Sequence, residues 1–599
     1  MSSRFVVGID LGTTNCVLAY SELEGEQPQI QVLQVPQLVA PRTVDQRTSL
    51  PSFIYLAGEH EASDGALDLP WGQDLGYAVG EYARQHAAEA PERTVTAAKS
   101  WLCHHRVDRR QAILPWNAAG NGHQISPVTA ARRYVEHLAA AWNAEFPDAP
   151  LAEQRVVLTV PASFDAVARE LTREAALSAG LSEDLVLLEE PQAAVYSWLD
   201  TVGDQWRRLL HVGDRLLVCD VGGGTTDLTL IDVAEEHGDL VLQRRAVGDH
   251  LLVGGDNMDL ALAHHAATQF AEQGVQLDPW QSVALWHSCR TAKEQLLSNG
   301  DVNSTHPVSV LGRGSQIIGG TVTVDLERTH VADLLVEGFF PRCGLNDRPQ
   351  RQRLSGFQEI GLPFENDAAV TKHLAAFLGA HLEQSDAQNF PSHVLFNGGV
   401  FKSEVLRRRL LEVLTEWSSD APPDAISQGA SQLDHAVARG AAFYGWAKQR
   451  GGVRIRGGVG RSYYVGIETA GLAIPGAPRP LNALCVVPFG MEEGTETDVP
   501  AGEVGLVLGE PARFRFFSSA VRKEDRPGDM LSRWSEEELI ETDSLEATLP
   551  AEESLEDPYV PVRFQSRITE LGMFELWCVS AQNSGRWKLE FNVRENGGD

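Results

Sequence analysis

Two short segments carry the residue types best suited to chemistry. One reads Gly8-Ile9-Asp10-Leu11-Gly12-Thr13-Thr14-Asn15, the other Asp220-Val221-Gly222-Gly223-Gly224-Thr225-Thr226-Asp227. Each follows an apolar run, carries an aspartate at its end, turns on glycine and resumes as an apolar run (17–19 and 228–230). Glycines let backbone N–H groups approach phosphate oxygens with no Cβ in the way. Threonine hydroxyls donate to the same oxygens. The aspartates suit Mg²⁺ held through water, because that ion keeps several of its waters. One glycine turn is weak evidence, since most are only turns. Two matching strand–Asp–Gly–Thr segments point to a duplicated fold whose halves clamp a polyphosphate. The chain has no G-x-x-x-x-G-K-[ST], so this is not a P-loop.

The elements that must position these segments follow from hydrophobic patterning. Short apolar runs at 5–9, 156–160, 216–219, 228–233 and 393–396 alternate with helical patterns at 166–179, 258–273, 283–297, 402–417 and 435–449. That alternation predicts an α/β domain over 1–449, in which chemistry sits where loops leave the carboxyl ends of strands. A Gly/Arg-rich connector fills 450–460. Beyond it, apolar stretches at 463–467, 484–487, 504–508, 514–517, 560–564, 574–579 and 588–593 are punctuated by glycine and proline, which predicts a smaller antiparallel β domain over 461–599. Within it, 534–558 holds ten acids and no Lys or Arg, the composition of a solvated, mobile loop, with an acidic docking segment as the alternative. An irregular stretch at 340–363 reads as an insertion between two helical patterns.

Composition narrows the partners. The 599 residues carry 50 Lys+Arg against 82 Asp+Glu, a formal charge of −32, whose mean field repels nucleic acid and anionic membrane. The seven cysteines form no C-x-x-C, so neither a zinc site nor a redox pair is expected. The opening residues leave no room for a signal peptide, and no apolar run reaches about 18 residues. The expectation is a cytoplasmic protein.

The residues resemble the DnaK-type heat-shock protein 70 chaperones, on the actin-like ATPase fold. The Asp10 and Asp220 segments are similar to that family's two phosphate motifs. Leu158-Thr159-Val160-Pro161-Ala162-Ser163-Phe164 resembles its interlobe strand, and Leu188-Glu189-Glu190-Pro191-Gln192-Ala193-Ala194 the segment with its catalytic glutamate. Val253-Gly254-Gly255-Asp256-Asn257-Met258-Asp259 and Leu395-Phe396-Asn397-Gly398-Gly399-Val400 resemble further nucleotide-pocket segments. The resemblance implies ATP or ADP as ligand, with Mg²⁺ and K⁺ as accompanying ions. It implies that Lys99 approaches the γ-phosphate and that Glu190 orients water. Thr13, Thr14 and Thr225 would contact phosphate together with Gly12, Asn15, Gly222, Gly223 and Gly224. Asp10, Asp220, Asp227 and Glu190 would serve as metal and water ligands. Gly254, Gly255, Gly398 and Gly399 would give backbone contacts, and Asp434 would lie in the adenosine pocket.

The adenosine side departs from the family pattern. Lys293 keeps the ribose-contacting lysine, but Arg290 stands where glutamate is usual and Glu294 where arginine or an apolar residue is. The i,i+4 spacing of Arg290 and Glu294 fits a helix-surface ion pair of about 0.2–0.5 kcal/mol. Lys402 replaces an arginine and cannot stack on a purine as a planar guanidinium does. Residues 461–469 and 568–580 resemble strands of the family's peptide-binding β-sandwich. Its acidic-leucine linker is replaced by the connector, and its helical lid is expected to be absent. The leading expectation is a slow ATPase with chaperone-like binding of unfolded or extended protein segments, served by a co-chaperone or exchange factor. The alternatives are a nucleotide-gated adaptor for one dedicated partner, a small-molecule kinase and a filament former.

Overall fold

The computed structural model describes the chain apart from residues 1–2, 26, 59–60, 62–63, 74, 88, 105–106, 117, 119–123, 165, 237–238, 299–302, 312–320, 351–361, 363, 383–389, 419–421, 427–432, 451–454, 457–458, 460, 470–479, 493, 520, 523, 536–537, 542–544, 549–558, 570–572 and 593–599. The chain divides into two compact units, Met1–Arg454 and Ile455–Asp599.

The first unit is built on two sheets of the same design. In one, β1 (Phe5–Leu11) turns back into antiparallel β2 (Asn15–Glu22), with Asp10 opposite Val17. On the other side of β1, β3 (Arg155–Val160) and β4 (Val186–Glu189) follow in parallel. In the second sheet, β5 (Arg215–Val221) turns back into antiparallel β6 (Thr226–Glu236), with Asp220 opposite Asp227. Beside β6 runs β7 (Asp239–Val247). On the far side of β5 lie parallel β8 (His393–Asn397) and β9 (Asp424–Ile426). Strands covered on both faces must be apolar throughout, and β1 and β5 are buried almost end to end. The duplication read from two short motifs is therefore a duplication of whole sheets.

Two helices tie the sheets together. Helix α1 (Glu190–Val202) begins as β4 ends and packs on β5, β6 and β8. Helix α2 (Ala436–Arg450) lies on β1, β2 and β3 and against α1. These approaches need glycine. A Cβ on Gly440 would sit 1.7 Å from the Ala193 carbonyl oxygen, and one on Gly8 would sit 2.3 Å from that of Ala438. Helix Pro279–Leu297 starts at Asp278, whose carboxylate accepts from the Gln281 N–H while the Gln281 side chain accepts from the Asp278 N–H, a capping box.

In the second unit, a sheet ordered Met530–Leu531, Leu481–Val487, Ser462–Glu468, Phe516–Ser519, Ile540–Glu541 faces one ordered Thr495–Val507, Tyr559–Ile568, Met573–Ser580, Arg586–Asn592. All pairings are antiparallel. Tyr559–Ile568 alternates between inward and outward residues at the period of two that a half-buried strand requires. Val465, Leu484, Phe516, Val562, Phe574 and Leu576 from both sheets share one core, which makes the unit a sandwich.

The predicted helices and strands fall on observed ones within a few residues. The acidic stretch 534–558 departs from the loop expectation where it is described. Ile540–Glu541 pairs with Phe516–Ser519, and Leu545–Thr548 pairs with Pro511–Phe514. Its charge is met locally, since Arg515 donates to both carboxylate oxygens of Glu541, at 2.8 and 2.6 Å. The start of the 340–363 stretch is anchored as well, because Arg342 ion-pairs with Glu412 and Glu416 on helix Glu404–Trp417. Residues 351–361 and 363 of that stretch, and most of the connector, lie outside the described residues.

Candidate active site

Each hairpin turn emerges at the end of its sheet, and the two turns meet. A Cβ on Gly223 would lie 2.1 Å from Thr14 Oγ1, and one on Gly224 would lie 3.0 Å from Thr13 Cγ2. Any side chain at 223 would push the turns apart. Behind this junction lies a cavity of about 560 Å³. It is lined by Asp10, Gly12, Thr13, Thr14, Asn15, Lys99, Glu190, Asp220, Gly222, Gly223, Thr225, Asp227, Gly255, Arg290, Lys293, Glu294, Gly398, Gly399, Lys402 and Asp434. Of the residues expected from sequence, Gly224 and Gly254 fall outside the lining. They shape it instead. Gly224 packs against Thr13, and a Cβ on Gly254 would strike the Gly222 and Gly223 carbonyl oxygens at 2.8 and 2.7 Å. Those carbonyls accept from the Gly255 and Asp256 N–H groups, at 3.0 and 2.7 Å.

Lys99 enters from the short helix Ala98–Leu102, whose cap residue Ala97 holds a left-handed φ of 52°. A residue with a Cβ adopts that conformation only at a cost of about 1–2 kcal/mol, the kind of local strain that concentrates at functional sites. Lys99 ion-pairs with Glu190, the first residue of α1, and both side chains are only 13% exposed. Burial alone would lower the Lys99 pKa, but the facing Glu190 and Asp10 carboxyls carry it above the usual lysine range.

The acids are crowded. Burial pushes Glu190 up to about 8, with Asp10 and Asp220 adding to the shift and Lys99 opposing it. Burial likewise raises Asp220 to about 7, with Asp227 and Asp10 adding, against an Asn397 Nδ2 donor 2.7 Å from its Oδ2. Asp10 is raised by burial in the face of Lys99 and the Thr159 hydroxyl, which donates to its Oδ1 at 3.2 Å. Asp227 goes the other way. Burial would raise it, but His250 and the Ser163 hydroxyl, which donates to Oδ1 at 2.5 Å, hold it low.

Buried carboxyls held toward their neutral forms beside a phosphate cradle are a site that a cation would relieve, so the residues fit Mg²⁺. Among the described residues no three His, Cys, Asp or Glu converge closely enough to ligate an ion directly. Asp10, Asp220 and Asp227 would hold the ion, which keeps several of its own waters when bound.

At the far end of the cavity Arg290 does not form the expected surface pair with Glu294. Its guanidinium ion-pairs with Asp256 and Asp259, reaching Asp259 Oδ2 at 2.9 Å. Helix Gly255–Glu272 packs against helix Pro279–Leu297, and two half-buried or buried acids there outcompete an exposed glutamate on the same helix. Lys293 lies 2.6 Å from Asp259 Oδ1 and donates to the Gly255 carbonyl at 2.8 Å. At the rim, Lys402 and Asp434 pair with each other at 2.6 Å. The reading from sequence missed the roles of Asn397, Asp256, Asp259, Ser163 and His250. Asn397 directly precedes the Gly398-Gly399 pair, a signal that was there to be used.

Two sheets of one design, joined by crossing helices and closing two Asp–Gly–Thr hairpins over a cavity, define an actin-like ATPase fold. A family model described as Hsp70 protein matches residues 70–343, which include Lys99, Glu190, the second hairpin, Arg290 and Lys293, and this match supports membership of the Hsp70 family.

Proposed function

We propose that the first unit binds ATP with Mg²⁺ in this cavity and hydrolyses it, and that the β-sandwich unit binds extended segments of client proteins. Hsp70 proteins are nucleotide-binding, chaperone-like ATPases that use ATP or ADP with Mg²⁺ and bind unfolded clients and co-chaperones. The observation that carries the proposal is the junction of the two hairpins, Thr14 against Gly223 and Thr13 against Gly224, above a buried Lys99–Glu190 pair.

Phosphoryl transfer to water needs positioning and charge neutralisation more than covalent chemistry. The threonine hydroxyls and turn amides of the two hairpins orient the phosphates from both sides. Lys99 lies against the transferred group and stabilises its charge. Glu190 can accept a proton from the attacking water only as the carboxylate, the form that the facing Lys99 charge favours against its burial. Mg²⁺ supplies neutralisation of the phosphate charge when bound. Gly398 lets β8 pass close to Asp220, since its φ of 86° and the Val221 carbonyl oxygen, 2.3 Å from where a Cβ would sit, exclude any other residue.

The test is release of free phosphate from ATP by the purified chain, with and without an unfolded polypeptide. Turnover stimulated by the polypeptide supports the chaperone reading. Turnover indifferent to it favours an adaptor for one dedicated partner, and phosphate appearing only on an added small molecule favours a kinase.

A further inference from the structure

Directly behind the Lys99–Glu190 pair lies a buried ion cluster that no nucleotide-binding role uses. Glu189, the last residue of β4, is fully buried and lies outside the cavity lining, whereas Glu190, the first residue of α1, is part of it. Arg169, from helix Ala166–Ser178 of the same half, lies 3.6 Å from Glu189 Oε1. Arg244, from β7 in the sheet of the other half, lies 3.2 Å from Glu189 Oε2, and its side chain is 8% exposed. Gln192 Nε2 also donates to Oε2, at 3.2 Å. Next to Arg244 the β6–β7 register slips by one residue between Leu230 and Ile231, the kind of bulge that re-aims a side chain.

We propose that Arg244 is a positioning residue of the hydrolytic centre: anchored in one half, it grips Glu189 in the other and so fixes Glu190 against Lys99. The backbone of residue 190 cannot shift without moving residue 189, whose carboxylate is buried between two guanidiniums and tolerates little displacement. Closure of the two halves and placement of Glu190 are thereby one event. The proposal rests on the ATPase reading above, so its test includes a measurement that needs no nucleotide.

The full-length chain is compared with Arg244→Met, Arg244→Lys, Glu189→Gln and the double variant Glu189→Gln/Arg244→Met. Hydrogen exchange of the nucleotide-free proteins is followed in 186–190 and 239–247, together with single-turnover hydrolysis and Mg·ATP affinity. Arg244→Met is expected to speed exchange in both segments and to slow hydrolysis by about 10- to 100-fold while changing affinity by less than about three-fold. Arg244→Lys should recover most of the rate. Adding Arg244→Met to Glu189→Gln should slow hydrolysis by less than Arg244→Met slows the parent, since Glu189→Gln already removes the Arg244 ion pair. If Arg244→Met hydrolyses ATP at the parental rate, or if exchange is unchanged at 186–190, the proposal is wrong. Should Arg244→Met fail to fold, the same criteria apply to Glu189→Gln. A parental chain that hydrolyses no ATP overturns the ATPase reading, and unchanged exchange separately overturns the clasp.

Discussion

Gly398→Ala tests the architecture of the site at one atom. Gly398 holds φ 86° and ψ 155°, a region open almost only to glycine, where a residue with a Cβ costs about 1–3 kcal/mol. The added carbon would also lie 2.3 Å from the Val221 carbonyl oxygen and 2.7 Å from Asp220 Oδ1. Real contacts of this kind stay beyond 3.0 Å, so β5 and β8 must separate by several tenths of an ångström. Forcing packed backbone apart adds about 1–3 kcal/mol. The expected total is about 2–6 kcal/mol, a drop of roughly 0.7–2 M in the urea midpoint of the first unit for a slope of about 3 kcal/mol/M. Since Asp220 stands opposite Asn397 in the register, the same shift breaks their 2.7 Å hydrogen bond and should weaken Mg·ATP binding. Gly399→Ala is the control, because nothing lies within 4 Å of its Cβ position and its φ is ordinary. It should change stability by less than about 1 kcal/mol. Equal stability of the two variants would refute the reasoning.

Lys99→Ala should leave the chain folded and able to bind Mg·ATP while cutting turnover by about 100-fold or more, measured in single-turnover assays; parental turnover would remove Lys99 from the mechanism. Chelating Mg²⁺ should abolish ATP binding in calorimetric titrations, and Asp10→Asn and Asp220→Asn should each weaken the Mg²⁺-dependent part, whereas binding that persists without the ion would contradict the assignment of these carboxyls. His137 gives a pH prediction. Burial, against a hydrogen bond 2.9 Å from the Pro36 carbonyl, lowers its pKa from 6.5 to about 4, so it is neutral in the fold. Below pH 6.5 the unfolded chain takes the proton more readily, and stability falls between pH 6.5 and 4 by up to about 3 kcal/mol from this group. Urea midpoints across that window should drop less in His137→Gln than in the parent, and identical pH profiles would assign the acid sensitivity elsewhere.

The sheets were legible because each strand announces itself locally. Residues 5–9 and 216–219 are apolar without alternation, and each run ends in an aspartate followed by glycine, a pattern that hardly arises outside a strand–turn–strand unit. The phosphate-side residues came with those turns. The partners of the charged residues were not legible. Arg290 has Glu294 one helical turn away, and spacing alone favours that pair, yet its partners lie 31 and 34 positions upstream on another helix. Glu189 and Arg244, 55 residues apart, meet only because the two sheets close on each other. Local patterning fixes which face of an element is buried, whereas the choice among charged partners is made by packing between elements.

The charge of the cavity bears on the proposed Mg²⁺ requirement. Its lining carries eight carboxyl groups and four cationic side chains, in a chain whose own charge is −32. A nucleotide triphosphate would enter a cavity that already repels it. Three of the four cations are also engaged, Lys99 with Glu190, Lys293 with Asp259 and Lys402 with Asp434, and the fourth, Arg290, holds Asp256 and Asp259. The protein's own positive charge is thus committed to its own acids, and Asp220 and Glu190, raised chiefly by burial, are pushed further up by the neighbouring carboxyls. A divalent cation arriving with the phosphates reverses this balance, because the acids that repel the bare nucleotide attract its metal complex. On the proposed function, the same carboxyls that disfavour bare ATP would select Mg·ATP over the free nucleotide, without requiring a lysine-rich pocket.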